Sequence, residues 1–303
     1  MEKKLISVII PSYNRKDLIG RAIDSVLKQN YDDVEIIVVD DGSNDGTYEF
    51  LGETYKEYSN IRIFKNAKNS GAGFSRKFGY NESKGSYIIF MDDDDYYTNF
   101  DFFGQAIKVF DEMESVGIVS SSSTIEYVKE NKIEDSIMNI YGFIDKAEYL
   151  SEFQLKYMKS NSTFTTIFRK STLDKANFSD VEMVNDSSIY LRALLAGDAY
   201  ILDEKSGVYR VHSKNITFSL KIGFIIDNLI EKRKVYDEII KRKLLPNPSE
   251  WLKKQVLLTT VYFVQNNDVD NEDFEKLVNW CKDNCADKAE EVITNLKQIR
   301  GDK

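Results

Sequence analysis

Residues 87–97 read Tyr-Ile-Ile-Phe-Met-Asp-Asp-Asp-Asp-Tyr-Tyr, an apolar run that passes straight into Asp92, Asp93, Asp94 and Asp95. Four adjacent carboxylates repel one another unless water or a cation relieves them. Carboxylates spaced Asp-x-Asp suit a hard divalent cation such as Mg²⁺ or Mn²⁺, which can itself hold phosphate oxygens. At the end of a buried strand they would stand where open α/β sheets bind ligands, outside the carboxyl ends of the strands. A solvated acidic turn is the plainer alternative, since runs of charge usually face water. A second acidic pair, Asp40-Asp41, closes the apolar run Val34–Val39. There, Asp41 or Ser43 can cap the helix that follows, with Asp45 in its first turn, while a carboxylate also serves a ligand.

The surrounding elements must place these acids on one edge. Leu5–Ile10 is a short apolar run ended by Pro11, as a buried parallel strand should look. Leu18, Ile19, Ala22, Ile23, Val26 and Leu27 then recur at helical spacing. Val34–Val39 reads as a second strand, Thr47–Tyr58 as a helix, Ile61–Phe64 as a third strand, Gly73–Ser83 as a helix and Tyr87–Met91 as a fourth strand. Strand and helix in alternation predict a parallel sheet covered on both faces. Further along, Val116–Ser123 and Thr163–Arg169 read as strands, Val184–Leu195 as a helix and Ala199–Val211 as paired strands. Residues 124–160 carry weak signals. From about Leu220 the pattern is helical, broken at Pro246-Asn-Pro248, where Ser249 is a plausible cap.

Composition narrows the function. The chain has 303 residues, 42% of them hydrophobic, enough for one large domain or two modest ones. A net charge of −9 argues against general nucleic-acid binding, which needs a positive field. The two cysteines, Cys281 and Cys285, suit one face of a helix and read as small apolar side chains rather than a disulfide framework. The start is too short an apolar run for a secretory signal, and no window reaches the roughly 18 apolar residues of a membrane span. These features suit a soluble protein of a reducing compartment, or one peripheral to a membrane.

Four segments share a pattern: Pro11-Ser12-Tyr13-Asn14-Arg15, Asp40-Asp41-Gly42-Ser43, Asn69-Ser70-Gly71 followed by Ser75-Arg76 and Gly79, and Met91-Asp92-Asp93-Asp94-Asp95. In order and spacing the chain resembles the family 2 inverting glycosyltransferases of GT-A fold, strongly over residues 5–100 and moderately over 160–217. The resemblance implies an α/β fold with a Rossmann-like, mixed but mainly parallel sheet and a C-terminal helical appendage. It places a glycosyltransferase domain at 1–218, its nucleotide-binding half at 1–110 and its acceptor half at 111–218, with helices over 219–303. A nucleotide-sugar, UDP-linked by preference, would meet Pro11, Tyr13, Arg15, Asp40, Asp41, Arg76, Asp92 and Asp93. Tyr13 can stack on the base, and Asp40 can accept from uracil N3–H or the ribose. Mn²⁺ or Mg²⁺ would sit on Asp94 and on His212, the only histidine, with Arg210 and Lys214 near the diphosphate.

The stretch Glu182 to Arg192 resembles the family's Glu-Asp motif at a helix start, with Asn185 in place of Glu and Asp186 at the general-base position. A helix cap is the competing role for Asp186. The implied acceptor is a glycan, lipid-linked glycan or glycoprotein of a bacterial surface. The implied location is the cytoplasm, with peripheral attachment to the inner membrane face if the acceptor is lipid-linked. Phe224, Ile225, Leu229, Tyr236 and Ile240 read as core or as homodimer contacts, and Glu231–Lys234 and Lys241–Lys243 as solvated helix faces. Two other readings compete. A phosphatase of the haloacid dehalogenase type would want Thr or Val where Tyr96 stands, and its motif on the first strand. A transferase-like domain kept only for binding draws its support from Asn185.

Overall fold

The computed structural model describes residues 4–136, 138–182, 184–212 and 221–301. Two compact units divide the chain, Met1–His212 and Ser213–Lys303. The boundary expected at 218/219 lies outside the described residues.

In the first unit, β1 (Ile6–Ser12), β2 (Val34–Asp40), β3 (Ile61–Lys65) and β4 (Tyr87–Phe90) pair in parallel in the order β3-β2-β1-β4. The sheet continues through β9 (Thr166–Arg169), β6 (Val116–Tyr127), β10 (Asp198–Val211) and β5 (Tyr96–Tyr97). β7 (Lys132–Asp135) and β8 (Gly142–Ile144) pair with β6 and β10. β9 runs antiparallel to both β4 and β6, while β6 and β10 run parallel. The sheet is therefore mixed.

Side chains alternate across β1 as strand geometry demands. Ile6, Val8 and Ile10 join the core with α1 (Lys16–Leu27) and α4 (Phe102–Glu112). Ile9 faces α3 (Ala72–Glu82) instead. A Cβ built on Gly79 of that helix would lie 2.4 Å from Ile9 Cγ2, so a hydrogen is all the approach allows. This contact fixes the depth of α3, which carries Arg76.

Three expectations need correction. Pro11 does not end β1, which runs through it to Ser12. Ile9 accepts from Met91 N on the β4 side, and Pro11, two residues on, faces the same way beyond the end of β4. Its missing N–H is not needed there. Residues 199–211 are not paired strands but part of one strand, β10, which bulges at Lys205 where Asp-Glu-Lys-Ser-Gly looks like a turn. The second helix, α2 (Thr47–Thr54), stops short of Tyr58. Between β8 and β10 lie three short helices: α5 (Lys146–Ser151), α6 (Lys170–Lys175) and α7 (Asp186–Leu194).

The second unit contains α8 (Ile222–Arg242), α9 (Pro248–Asn266), α10 (Asn271–Asn284) and α11 (Ala289–Gly301). Ile225, Leu229 and Tyr236 are buried within it, but Ile240 is exposed. Glu231 and Lys232 are also buried, so that stretch is no solvated face. Lys232 Nζ donates to Gln255 O at 3.0 Å and to Thr259 Oγ1, and burial pushes the ammonium down to about 7. α9 is capped at Asn247 with Pro248 in its first turn, so Ser249 lies inside the helix. Cys281 and Cys285 are free and buried. No helix among the described residues is long and apolar enough to cross a membrane.

Candidate active site

The loops after β1 and β2 are stapled together. Asn14, at φ 53°, donates its N–H to Ser43 Oγ at 2.9 Å and accepts from Asn44 N at 3.0 Å through Oδ1. Arg15 N donates to Thr47 Oγ1 at 3.2 Å. Between these anchors Tyr13 stands 42% exposed, its ring open at the sheet edge. Asp40 is fully buried. Its Oδ1 accepts from Ser43 N at 3.0 Å, while Oδ2 has no partner among the described residues. Asp41 is engaged within the fold: it accepts from the Asn66 side chain (Nδ2) at 2.7 Å and from the backbone at Ser70 N, 2.9 Å, and Gly71 N, 2.7 Å. It ties the end of β2 to the start of α3. Neither Asp41 nor Ser43 caps α2. Gly46 takes the cap position, and Asp45 accepts from Thr47 N at 3.0 Å ahead of the helix.

Beyond β4 the four acids diverge. Asp92 Oδ1 takes Arg76 Nη2 at 2.5 Å. Asp93 Oδ1 lies 3.5 Å from Arg15 Nε. Asp94 Oδ2 meets His212 Nε2 at 2.5 Å across 118 residues of sequence. Asp95 is bound by Ser162 Oγ at 2.7 Å and Arg210 N at 3.1 Å. Burial first, then the Asp94 carboxylate, pushes Asp93 up to about 8. Burial also outweighs the Arg76 guanidinium at Asp92, which stands above the usual carboxylate range, and with Asp92 and Asp94 it drives Asp95 well above it.

A cation beside these acids would favour their charged forms. The pair Asp94 and His212 offers an oxygen and a nitrogen donor, which suits Mn²⁺. Among the described residues no group of three His, Cys, Asp or Glu could hold a metal. A Mg²⁺-type site needs only one or two protein ligands, with substrate phosphates and water for the rest.

Asp93 gives this electrostatic strain a measurable sign. Between the ordinary carboxylate range and about pH 8, folded chains keep a proton on Asp93 that unfolded chains release. The stability it contributes is therefore lost as pH rises through that window. Asp93→Asn has no such proton. In EDTA its melting temperature should gain on the wild type as pH climbs from about 5 to about 8. Calorimetry checks this, and parallel melting curves would rule the buried proton out.

The acids meet α7 through Arg76. Its Nη2, besides holding Asp92, lies 3.8 Å from Asp186 Oδ1. Asp186 is the first residue of α7, not its cap. Asn185 takes that place, accepting from Ser188 N at 2.9 Å while Ser188 Oγ accepts from Asn185 N at 2.9 Å. The reciprocal cap satisfies two orphan N–H groups and leaves the Asp186 carboxylate for other partners. One of these went unseen in the sequence: Lys159 Nζ stands 3.4 Å from Asp186 Oδ2.

Arg210 sends its Nε to Glu126 Oε2 at 2.7 Å, so its guanidinium is engaged on β6 while its backbone serves Asp95. Lys214 lies outside the described residues. Pro11, Tyr13, Arg15, Asp40, Arg76, the four acids, Asp186 and His212 otherwise gather on the carboxyl edge of β1, β2 and β4 or are linked to it by the contacts above.

A mixed sheet of this order, flanked by helices, has the GT-A-like arrangement. The chain belongs to glycosyl transferase family 2, whose model matches residues 7–178, more than half of the chain. The uncharacterized glycosyltransferase EpsJ of Bacillus subtilis is 27% identical over 223 residues, which cover 70% of this chain and 63% of EpsJ. The chain thus spans less than two thirds of that relative's length. WfaP of Escherichia coli, a UDP-Glc:alpha-D-GlcNAc-diphosphoundecaprenol beta-1,3-glucosyltransferase, is 39% identical over 94 residues, 31% of this chain and 37% of WfaP. The structure of S. aureus TarS 1-349 with UDP-GlcNAc superposes with a TM-score of 0.74 at 19% identity, over 98% of this chain and 90% of TarS 1-349. At that identity the likeness speaks for the fold.

Proposed function

We propose that this chain moves a sugar from a UDP-sugar to an acceptor hydroxyl, with inversion at the anomeric carbon, in the building of a bacterial surface glycan. The observation that carries the reading is the Arg76 guanidinium, which bridges Asp92 of the acidic turn and Asp186 of α7. Donor-side and acceptor-side carboxylates thus share one cluster. The orphan Oδ2 of Asp40 complements the N3–H of uracil, and the open Tyr13 ring offers a stacking face. Asp186, freed from capping, takes the proton of the attacking hydroxyl as general base. Asp94 and His212 would hold Mn²⁺ or Mg²⁺, which when bound stabilises charge on the departing diphosphate. Arg76 adds a fixed positive charge beside the same position.

The family supports a glycan acceptor, and the diphosphoundecaprenol in the WfaP name supports a lipid-linked one. The binding-only alternative loses its best argument, because Asn185 has a structural task as cap.

Thermal melting with UDP, GDP and CDP, each with and without Mn²⁺, tests the reading. A ligand at about 100 times its dissociation constant should add roughly 2.7 kcal/mol. The expected result is a UDP shift that needs the metal and vanishes in Asp94→Ala. No shift with any of the three nucleotides would sink the nucleotide-sugar assignment.

A further inference from the structure

Residues 153–162, between α5 and β9, hold the first turn of α7 and meet the Asp186 oxygen that Arg76 does not. Lys159 Nζ lies 3.4 Å from Asp186 Oδ2 and donates to Ser160 O at 3.0 Å, with its side chain only 12% exposed. Gln154 sits in the left-handed region at φ 57°, and its Oε1 accepts from Ser187 Oγ at 3.2 Å. Deeper along α7, the Tyr190 hydroxyl lies 3.0 Å from Ser120 Oγ and 2.5 Å from Thr166 Oγ1. The helix is thus pinned to β6 and β9, and its leading carboxylate is aimed by one cation on each oxygen. Arg76 also answers to Asp92; the contacts of Lys159 described here go to Asp186 and a backbone carbonyl.

We infer that Lys159 is a positioning residue for the transfer, holding Asp186 Oδ2 so that the carboxylate meets the acceptor hydroxyl in a single orientation. The inference rests on the reading of Asp186 as general base. In the step itself the acceptor oxygen forms a new bond to the anomeric carbon. The old bond to the diphosphate breaks, and its electron pair leaves on UDP. The acceptor proton passes to Asp186 and from there to solvent. Lys159 takes no part in these bond changes. It fixes one oxygen of the base. Rigid placement of this kind matters because small misplacements of a catalytic group cost large factors in rate.

Water can replace the unidentified acceptor in the test. UDP release from UDP-glucose, UDP-galactose and their N-acetyl derivatives is measured with Mn²⁺ for the full chain and for Lys159→Met, Lys159→Arg and Asp186→Asn. UDP affinity and melting temperature are recorded alongside. Lys159→Met should lower kcat about tenfold or more, within the range that general-base placement commands. KM for the donor and the UDP dissociation constant should stay put, and Lys159→Arg should recover most of the rate. A merely structural role would spread the loss to KM and UDP affinity, with no recovery in Lys159→Arg. Should the Met variant melt early, Lys159→Gln removes the charge with less loss of hydrogen bonding. Wild-type kcat in the Lys159 variants, with Asp186→Asn inactive, overturns the positioning role and leaves the transferase reading intact. Full activity in Asp186→Asn, or no UDP release by the wild type from any of these donors, overturns the reading beneath it.

Discussion

Asp186→Asn is expected to lower kcat by roughly 100- to 10,000-fold, the span that a positioned general base supplies. The substitution keeps shape and volume, and its carbonyl oxygen can still accept from Lys159 or Arg76. It removes the negative charge and the capacity to take up a proton, and its amide nitrogen faces one of the two cations. Stability should hardly change, because the cap of α7 belongs to Asn185 and Ser188, which the variant leaves untouched. UDP affinity should hold as well, since Asp186 stands on α7 while the donor contacts proposed above come from β1, β2, α3 and the acidic turn. The loss should therefore fall on kcat with KM for the donor nearly unchanged, the pattern of an interaction used in the transition state. Initial-rate measurements over a range of donor concentrations separate the two parameters. Equal UDP release by variant and wild type would count directly against Asp186 as the general base, whereas a binding module would release no UDP in either form.

The parts of this site that could be read from sequence are those set by local pattern. Asp40, Asp41 and Asp92–Asp95 follow apolar runs, and in a parallel sheet the ends of such runs share one edge by construction. Lys159 was hidden because its significance exists only where residues 153–162 fold back on α7; its neighbours carry no periodicity and no motif. The cap stayed open for a related reason. Asn185 and Asp186 are both good cap residues, and only the reciprocal bond with Ser188 decides between them. Pro11 misled through a rule that is right for paired backbone, since the rule lapses where the neighbouring strand has ended. β10 misled through composition: Asp203-Glu204-Lys205-Ser206-Gly207 has turn chemistry, but the strand absorbs it as a bulge between β6 and the sheet edge. Ser249 lost the cap of α9 to Asn247 because Pro248 already has the fixed φ of a first helical residue.

Asp40→Asn is expected to weaken UDP binding by about 10- to 100-fold, the equivalent of the roughly 1–3 kcal/mol that an unmatched buried polar group costs. The carboxylate is fully buried, with Oδ1 committed to Ser43 N at 3.0 Å and Oδ2 unpartnered. An asparagine must keep its oxygen on Ser43 N, because the alternative sets N–H against N–H. Its amide nitrogen then occupies the place of Oδ2. On the proposed reading uracil would present N3–H there, so donor would face donor, and neither could turn away without breaking a second bond. Cytosine presents an acceptor at N3, and CDP should lose less than UDP or gain. The ratio of the two affinities is the decisive quantity, since a general loosening of the β2 edge would lower both together. Calorimetric titration of wild type and variant with UDP and CDP reads that ratio. A parallel loss would place the base away from Asp40, whereas a reversal of preference would tie nucleotide selection to one oxygen atom at the end of β2.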